Sequence, residues 1–261
     1  SCGTSNSTAL TTRAASICYD YLATIFSEQA SNVEFATFGV PILKAMLIHG
    51  CSWNELGSRL NELLKTDNNG RQIKNWISRW IGYGVPDFEK VLGCNDQRAT
   101  LIGFGELKDG EAHVYTLPLP PSLNARREWR KFTVTLAWLS PVASTTQRYR
   151  GVQLWFDFEG GEKSREKLKD KLHVAGIDSD SYATRRGTVQ HEVFEGKRAV
   201  DISEEDILQI KVNCRKDARK FNTKITYGLV VSLEVAEGIN LPIYNDIRTR
   251  IAPAVEIRAK G

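Results

Sequence analysis

A single methionine, five cysteines and no long apolar run in 261 residues set the first limits on this chain. Its apolar stretches are short, such as Gly228-Leu229-Val230-Val231 before Ser232, far below the ~20 residues that a membrane-spanning helix needs. No segment is expected to cross a bilayer. Cys2, Cys18, Cys51, Cys94 and Cys214 are odd in number, widely spaced and never arranged as C-x-x-C. Such a set reads as free thiols of a reducing compartment, which places the chain in the cytoplasm. Also missing are H-E-x-x-H, paired C-x-x-C motifs and a phosphate loop, so neither a metal nor a cofactor is expected. Charge of one sign is scarce as well. With 35 basic against 31 acidic residues the net charge is +4, too small for a dedicated nucleic-acid or membrane surface. The N-terminus lacks a signal-peptide pattern and an initiator methionine and opens inside a motif, as expected of a fragment of a longer protein.

What remains is an ordinary globular composition, 41% apolar and 25% charged with 20 Gly and 8 Pro, and a length suited to one large or two ordinary domains. The first part has helical periodicity. From Asn6 to about Ser27, Leu10, Ala14, Ile17, Cys18, Tyr21, Leu22 and Ile25 recur at three- and four-residue steps, which predicts an amphipathic helix. Pro41 suits the first turn of a second helix, in which Ile42, Ala45, Met46 and His49 share a face and which ends near Gly50. Ser52 with Glu55 forms a capping box for a third helix through Leu56, Leu60, Leu63 and Leu64. A short aromatic turn over Trp76 to Ile81 leads to Gly82-Tyr83-Gly84, and Asp87 opens a last short helix through Phe88, Val91 and Leu92.

After Asn95 the hydrophobic period becomes 2, which predicts a boundary between a helical part, 1–95, and a strand-rich part, 96–261. Strands are expected at Ala99 to Glu106, Ala112 to Pro118, Lys131 to Trp138, Val152 to Phe158, Thr188 to Phe194, Ile207 to Asn213 and Thr226 to Val235. Seven strands with turns between them suggest an antiparallel, jelly-roll-like β-sandwich, so the fold class is α+β and residues 96–261 are expected to fold alone. Leu117-Pro118-Leu119-Pro120-Pro121 belongs at an edge or crossover, because its three prolines donate no ladder hydrogen bonds. Residues 160–186 read as an exposed excursion with a helical turn at Arg165 to Leu172. Trp129, Trp138, Trp155, Phe132, Phe156 and Phe158 offer either a carbohydrate platform or core, and alternation of Phe132, Val134, Leu136 and Trp138 favours core. The basic clusters at 126–131 and 215–220 read as solvated loops.

Gly3-Thr4-Ser5, followed at once by a helix of small and apolar residues, is the sharpest local signal. At a helix start, free N–H groups and the positive end of the dipole favour negative charge near a serine, as acyl transfer requires. Ser5-Asn6-Ser7-Thr8 equally supplies four candidates for an N-cap.

Gly3-Thr4-Ser5-Asn6-Ser7-Thr8-Ala9 resembles the nucleophile motif of subtilisin-like serine peptidases, G-T-S-x-[AS]-x-P. Leu43-Lys44-Ala45-Met46-Leu47 resembles the helix that follows in that family, and Gly82-Tyr83-Gly84-Val85-Pro86-Asp87-Phe88-Glu89-Lys90-Val91 is similar to its closing segment, G-x-G-x-[PV]-[DN]-x-x-x-A, in the expected order. Beyond residue 93, Arg186-Gly187-Thr188-Val189-Gln190-His191-Glu192 and Leu117-Pro118-Leu119-Pro120-Pro121-Ser122-Leu123 look like stretches of large bacterial subtilases with a C-terminal β-rich domain. The resemblance implies that residues 1–95 are the helical C-terminal remnant of a subtilisin-like α/β domain, with Ser5 as the catalytic nucleophile and a polypeptide as substrate. Ala9 stands where the family has Pro, and Ser7 fills the small-residue position. The family's catalytic Asp and His and its oxyanion Asn precede the nucleophile, so the missing N-terminal part of the domain is an implied partner and Ser5 alone should be nearly inert. His49, His113, His173 and His191 are expected in structural or solvent roles, and His191 and Glu192, adjacent in a strand, face opposite sides. A different class of reading is a non-catalytic β-sandwich that binds a protein partner, with Ser5 only a helix cap. The peptidase reading further expects Ser5 at an open edge, and its helix covered by the segments containing Leu43, Leu47 and Trp76.

Overall fold

Near residue 95, where the period of apolar residues changes, the chain passes from helices to strands. The structure, a computed structural model, describes residues 3–30, 33–66, 70–124, 126–142, 147, 150–158, 171–172, 187–197, 208–217, 223–248 and 255–259. Helices α1 (Thr4–Gln29) and α2 (Phe35–His49) come first, followed by β1 (Cys51–Ser52), α3 (Asn54–Leu64), α4 (Gly70–Ile81), β2 (Val85–Pro86) and α5 (Phe88–Leu92). β1 and β2 pair as a small antiparallel ribbon. The remaining strands are β3 (Arg98–Leu107), β4 (Glu111–Leu117), β5 (Arg130–Trp138), β6 (Val152–Phe158), β7 (Lys171–Leu172), β8 (Val189–Gly196), β9 (Leu208–Lys216), β10 (Ile225–Val235) and β11 (Val255–Ala259), with α6 (Ile243–Arg248) before the last. The class is mixed α+β.

Two antiparallel sheets, ordered β3-β10-β5-β8-β7 and β11-β4-β9-β6, share one core. Phe132, Val134, Leu136 and Trp138 point into it from β5 and are fully buried, as their alternation predicts. Leu154, Phe156 and Phe158 of β6 and Ile210 and Val212 of β9 meet them from the other sheet. Gln190 of β8 ties the layers: its Oε1 accepts from Phe156 N (2.8 Å) and its Nε2 donates to Phe156 O (3.2 Å). The proline-rich segment after β4 is the expected crossover from the four-stranded to the five-stranded sheet, and it contains a single 3-10 turn at Pro121–Leu123.

The helices cover the other face of the five-stranded sheet. Leu22 and Phe26 of α1 and Ile42, Ala45 and Met46 of α2 form a second core with Ala137 of β5, Val189 of β8 and Val230 of β10. α2 lies so close to β10 that a Cβ on Gly228 would stand 2.5 Å from Ile42 Cα. Lys44 extends from α2 to donate to the Trp138 and Thr188 carbonyls (3.2 and 3.3 Å), which caps the ends of β5 and β8. The helical and strand-rich parts thus share a buried boundary.

Several local expectations change. Pro41 sits inside α2 rather than in its first turn, because the helix begins at Phe35 and forgoes one backbone bond at the proline. Ser52 belongs to β1 and bonds Asn54 Oδ1 (2.5 Å), so α3 starts after Trp53 with no side-chain cap in place of the capping box. The aromatic stretch Trp76 to Ile81 is the second half of α4, whose Ile73 and Ile77 are buried four residues apart. Arg130 is no solvated loop residue: it is 2% exposed, and its guanidinium donates to the Glu128 and Arg126 carbonyls. Trp155 faces outward, half-buried, under the Arg215 guanidinium at 5.4 Å. Of the expected excursion at 160–186, only Lys171–Leu172 is described, and it is a strand paired with β8 rather than part of a helical turn. Asp87 caps α5 as expected, accepting from Lys90 N (3.1 Å).

Candidate functional site

Ser5 lies in the first turn of α1 and is exposed, as are all the described residues from Gly3 through Leu10. The N-cap is Gly3, with extended backbone and no side-chain cap bond, so Ser5 is not the cap that the binding-module reading requires. Thr8 and Thr11 instead donate to carbonyls four residues back, Thr4 O and Ser7 O, at 2.8 Å each. Among the described residues no side-chain hydrogen bond engages Ser5, and the N–H groups of Thr4 and Ser5 have no partner within the helix. Thus Ser5 stands at an open edge with orphan donors beside it.

The rest of the helix is less enclosed than expected. Among the described side chains of α1 only Cys18, Leu22 and Phe26 are buried, packed by α2 and α5, and Leu10 and Ile17 are 67% and 52% exposed. Trp76 is 37% exposed on α4 and does not cover α1, whereas Leu43 is partly buried against the second core.

None of the described histidines approaches Ser5. His49 closes α2 and is buried against the sheet, with Nδ1 bonded to Thr135 Oγ1 and Nε2 to Ser232 Oγ, each at 2.9 Å. Thr135 Oγ1 also meets His191 Nδ1 at 2.7 Å, and Tyr83 packs edge-on against the His191 ring at 5.9 Å. Burial holds His49 well below the usual imidazole range, and His191, Arg98 and Lys131 add repulsion against its proton. Thr135 and His191, paired across β5 and β8, lie on the face of the sheet that α2 covers.

Ser232 and His49 form a serine–histidine contact, yet the arrangement is structural. Ser232 lies mid-strand in β10 with β3 and β5 laddered on both sides, which leaves no backbone N–H for an oxyanion. Thr135, not a carboxylate, orients the ring.

His113 is also embedded. Tyr115 Oη donates to Phe104 O (2.9 Å), because a carbonyl can only accept; Tyr115 therefore accepts from Tyr227 Oη (2.6 Å). Tyr227 has then spent its proton, so His113 Nδ1 donates to it (2.6 Å), which fixes the tautomer of the neutral ring. Burial lowers the His113 pKa and raises those of both tyrosines. His173 lies outside the described residues. His191 and Glu192 do face opposite sides: Glu192 turns into the inter-sheet core, where Gln190 Nε2 donates to it at 3.0 Å.

Four cysteines, Cys18, Cys51, Cys94 and Cys214, are free thiols, and burial pushes Cys51 up to about 11 and Cys214 up to about 12, far from nucleophilic thiolates. Among the described residues no group of three or more His, Cys, Asp or Glu could hold a metal ion, and no helix is long and apolar enough to cross a membrane.

Comparison with known proteins adds little to the geometry. No model of a known protein family matches the chain. An uncharacterized protein, y4bN, of Sinorhizobium fredii is 21% identical over 241 residues, which cover 87% of this chain and 53% of that protein. The chain therefore spans about half the length of this relative. A capsid structure of the Helicobacter pylori bacteriophage KHP30 overlaps 62% of this chain and 92% of its own, at 8% identity and a TM-score of 0.27, too low to carry an argument.

Proposed function

We propose that this chain is the nucleophile-bearing part of a subtilisin-like serine endopeptidase, continued by a jelly-roll-like β-sandwich accessory domain. The observation that carries the reading is the position of Ser5: it follows Gly3-Thr4 in the first turn of a long helix, exposed, with no competing side-chain hydrogen bond among the described residues. In this reading Ser5 Oγ attacks a peptide carbonyl to form an acyl-enzyme, and its own backbone N–H, one of the orphan donors of α1, helps hold the oxyanion. A base must take the serine proton and return it to the leaving amine, and a carboxylate must orient that base. The described histidines cannot serve, since His49, His113 and His191 are committed to contacts with the sheet. Base and carboxylate would come from a preceding part of the peptidase domain. The exposed Leu10 and Ile17 of α1 support such a neighbour, because a helix built for a domain centre keeps apolar residues on more than one side. The cytoplasmic location rests on the free cysteines.

The test is the coding region upstream of Ser1, expressed together with this chain. A longer protein that cleaves a chromogenic peptide, and ceases to when Ser5 is replaced by Ala, is the expected result. A longer protein with no Asp and His to complete the triad, or whose cleavage survives Ser5→Ala, would overturn the reading.

A further inference from the structure

Where α2 ends, the outer face of the five-stranded sheet turns from apolar to polar. Cross-strand register places Arg98 beside Glu234 and Glu234 beside Lys131, and in the next row Thr100 beside Ser232 and Ser232 beside Thr133. These positions share one face of the sheet, two residues apart along each strand. The C-terminal turn of α2 and β1 overhang them, and Lys90 of α5 reaches in from the side, leaving a small pocket open to solvent.

Arg98, Lys131 and Lys90 line the pocket together with one carboxylate, that of Glu234, while Glu195 stands beside Lys131 in the cross-strand register and Asp87 beside Lys90. The Arg98–Glu234 pair is loose, with Nε 3.9 Å from the nearest carboxylate oxygen, beyond hydrogen-bond reach. Arg98 Nε is buried and has no hydrogen-bond partner among the described residues, and the side chain is only 10% exposed. A guanidinium N–H withdrawn from water and left without an acceptor is costly unless an anion or another acceptor completes its shell. Lys90 is spoken for only weakly, 3.8 Å from Asp87 with both side chains largely in solvent.

We propose that this pocket binds a small oxyanion of the phosphate or sulfate type, held by the Arg98 guanidinium and the Lys131 ammonium, with the Thr133 and Ser232 hydroxyls as further donors. Ser232 can take that role when His49 Nε2–H donates to its oxygen, which frees the hydroxyl proton. His49 on the pocket wall stays neutral, since burial and the two nearby cations oppose its protonation, and so it does not compete with Arg98 for the anion. The site does not depend on Ser5 or on the peptidase reading.

The test titrates inorganic phosphate into the full chain at constant ionic strength set by sodium chloride, and follows the Arg98 Nε–H resonance by NMR. A saturable shift with a Kd on the order of millimolar is expected, with affinity falling about tenfold in Lys131→Gln, the loss of one charge-assisted contact. Lys131 is only half-buried and its replacement should leave the fold intact. No saturation by tens of millimolar phosphate, an equal response to chloride alone, or unchanged affinity in Lys131→Gln would each overturn the assignment.

Discussion

Acid should loosen the seam between helices and sheet, and the extent follows from His49. The ring is buried under α2 with both nitrogens engaged by Thr135 and Ser232, and its pKa in the folded chain lies well below the ordinary 6.5. An unfolded chain takes up a proton on this ring below 6.5, which the folded chain resists. The stability contributed by the neutral, buried ring is therefore full above pH 6.5 and is lost as pH falls toward the folded pKa. If the folded ring stays neutral throughout, lowering the pH from about 7.5 to about 5.5 costs about 1.4 kcal/mol, a tenfold change in the folding equilibrium constant. His191, Arg98 and Lys131 oppose its charging, and the carboxylates of Glu234 and Asp87 act on Arg98. Urea unfolding at the two pH values measures the loss, and His49→Gln, which keeps an amide between the two hydroxyls but does not titrate, gives the baseline. The wild type should lose about 1.4 kcal/mol more than the variant over this interval. Equal losses would refute the reasoning, for they would mean that His49 charges as readily folded as unfolded.

Three further outcomes follow from the packing and the site. Gly228→Ala should cost about 1–3 kcal/mol or more, because its Cβ would meet α2 backbone at 2.5 Å rather than a movable side chain; thermal denaturation reads the loss, and an unchanged Tm would show that α2 is not seated there. A chain of residues 96–261 should keep its inter-sheet core yet uncover Ala137, Val189 and Val230, so it is expected to melt at lower temperature and bind a hydrophobic dye, whereas an unchanged, dye-free melt would show that the helices contribute nothing to the sheet. The present chain by itself should turn over neither peptides nor esters at an enzymatic rate, since an active site stripped of its triad partners retains only about 10³ to 10⁴-fold over water. Turnover abolished by Ser5→Ala would contradict this.

The strands were the most legible part of the sequence, because a sheet with one face in the core writes its pattern every second residue: Phe132, Val134, Leu136 and Trp138 are fully buried as the alternation required. The stripe Cys18, Leu22 and Phe26, at four-residue steps, likewise marks the buried side of α1, though the sequence pattern named Ile25 where the structure buries Phe26. What escaped were features decided by packing, some of them by partners far away in the chain. Thr135, Ser232 and His49 are separated by 86 and 183 residues, and nothing local announces that they meet. Arg130 looked like one charge in a basic run until neighbouring carbonyls received its guanidinium in the core. α4 was obscured because Trp76 and Trp80, exposed on its outer side, read as an aromatic turn and hid the Ile73 and Ile77 repeat. The candidate site is the reverse case, a local motif whose helix start the sequence placed closely, while the groups that would make it catalytic do not come from the described residues.

The most direct test of Ser5 as a nucleophile is covalent labelling by a fluorophosphonate, which reacts only with a serine activated by its base and oxyanion hole. The longer protein that includes the upstream coding region is treated with the probe, digested, and the modified peptide mapped by mass spectrometry. Modification at Ser5, absent in Ser5→Ala and in the protein unfolded before treatment, is the predicted result. No modification of Ser5 in a folded longer protein, or labelling of a different serine that persists in Ser5→Ala, would contradict the assignment.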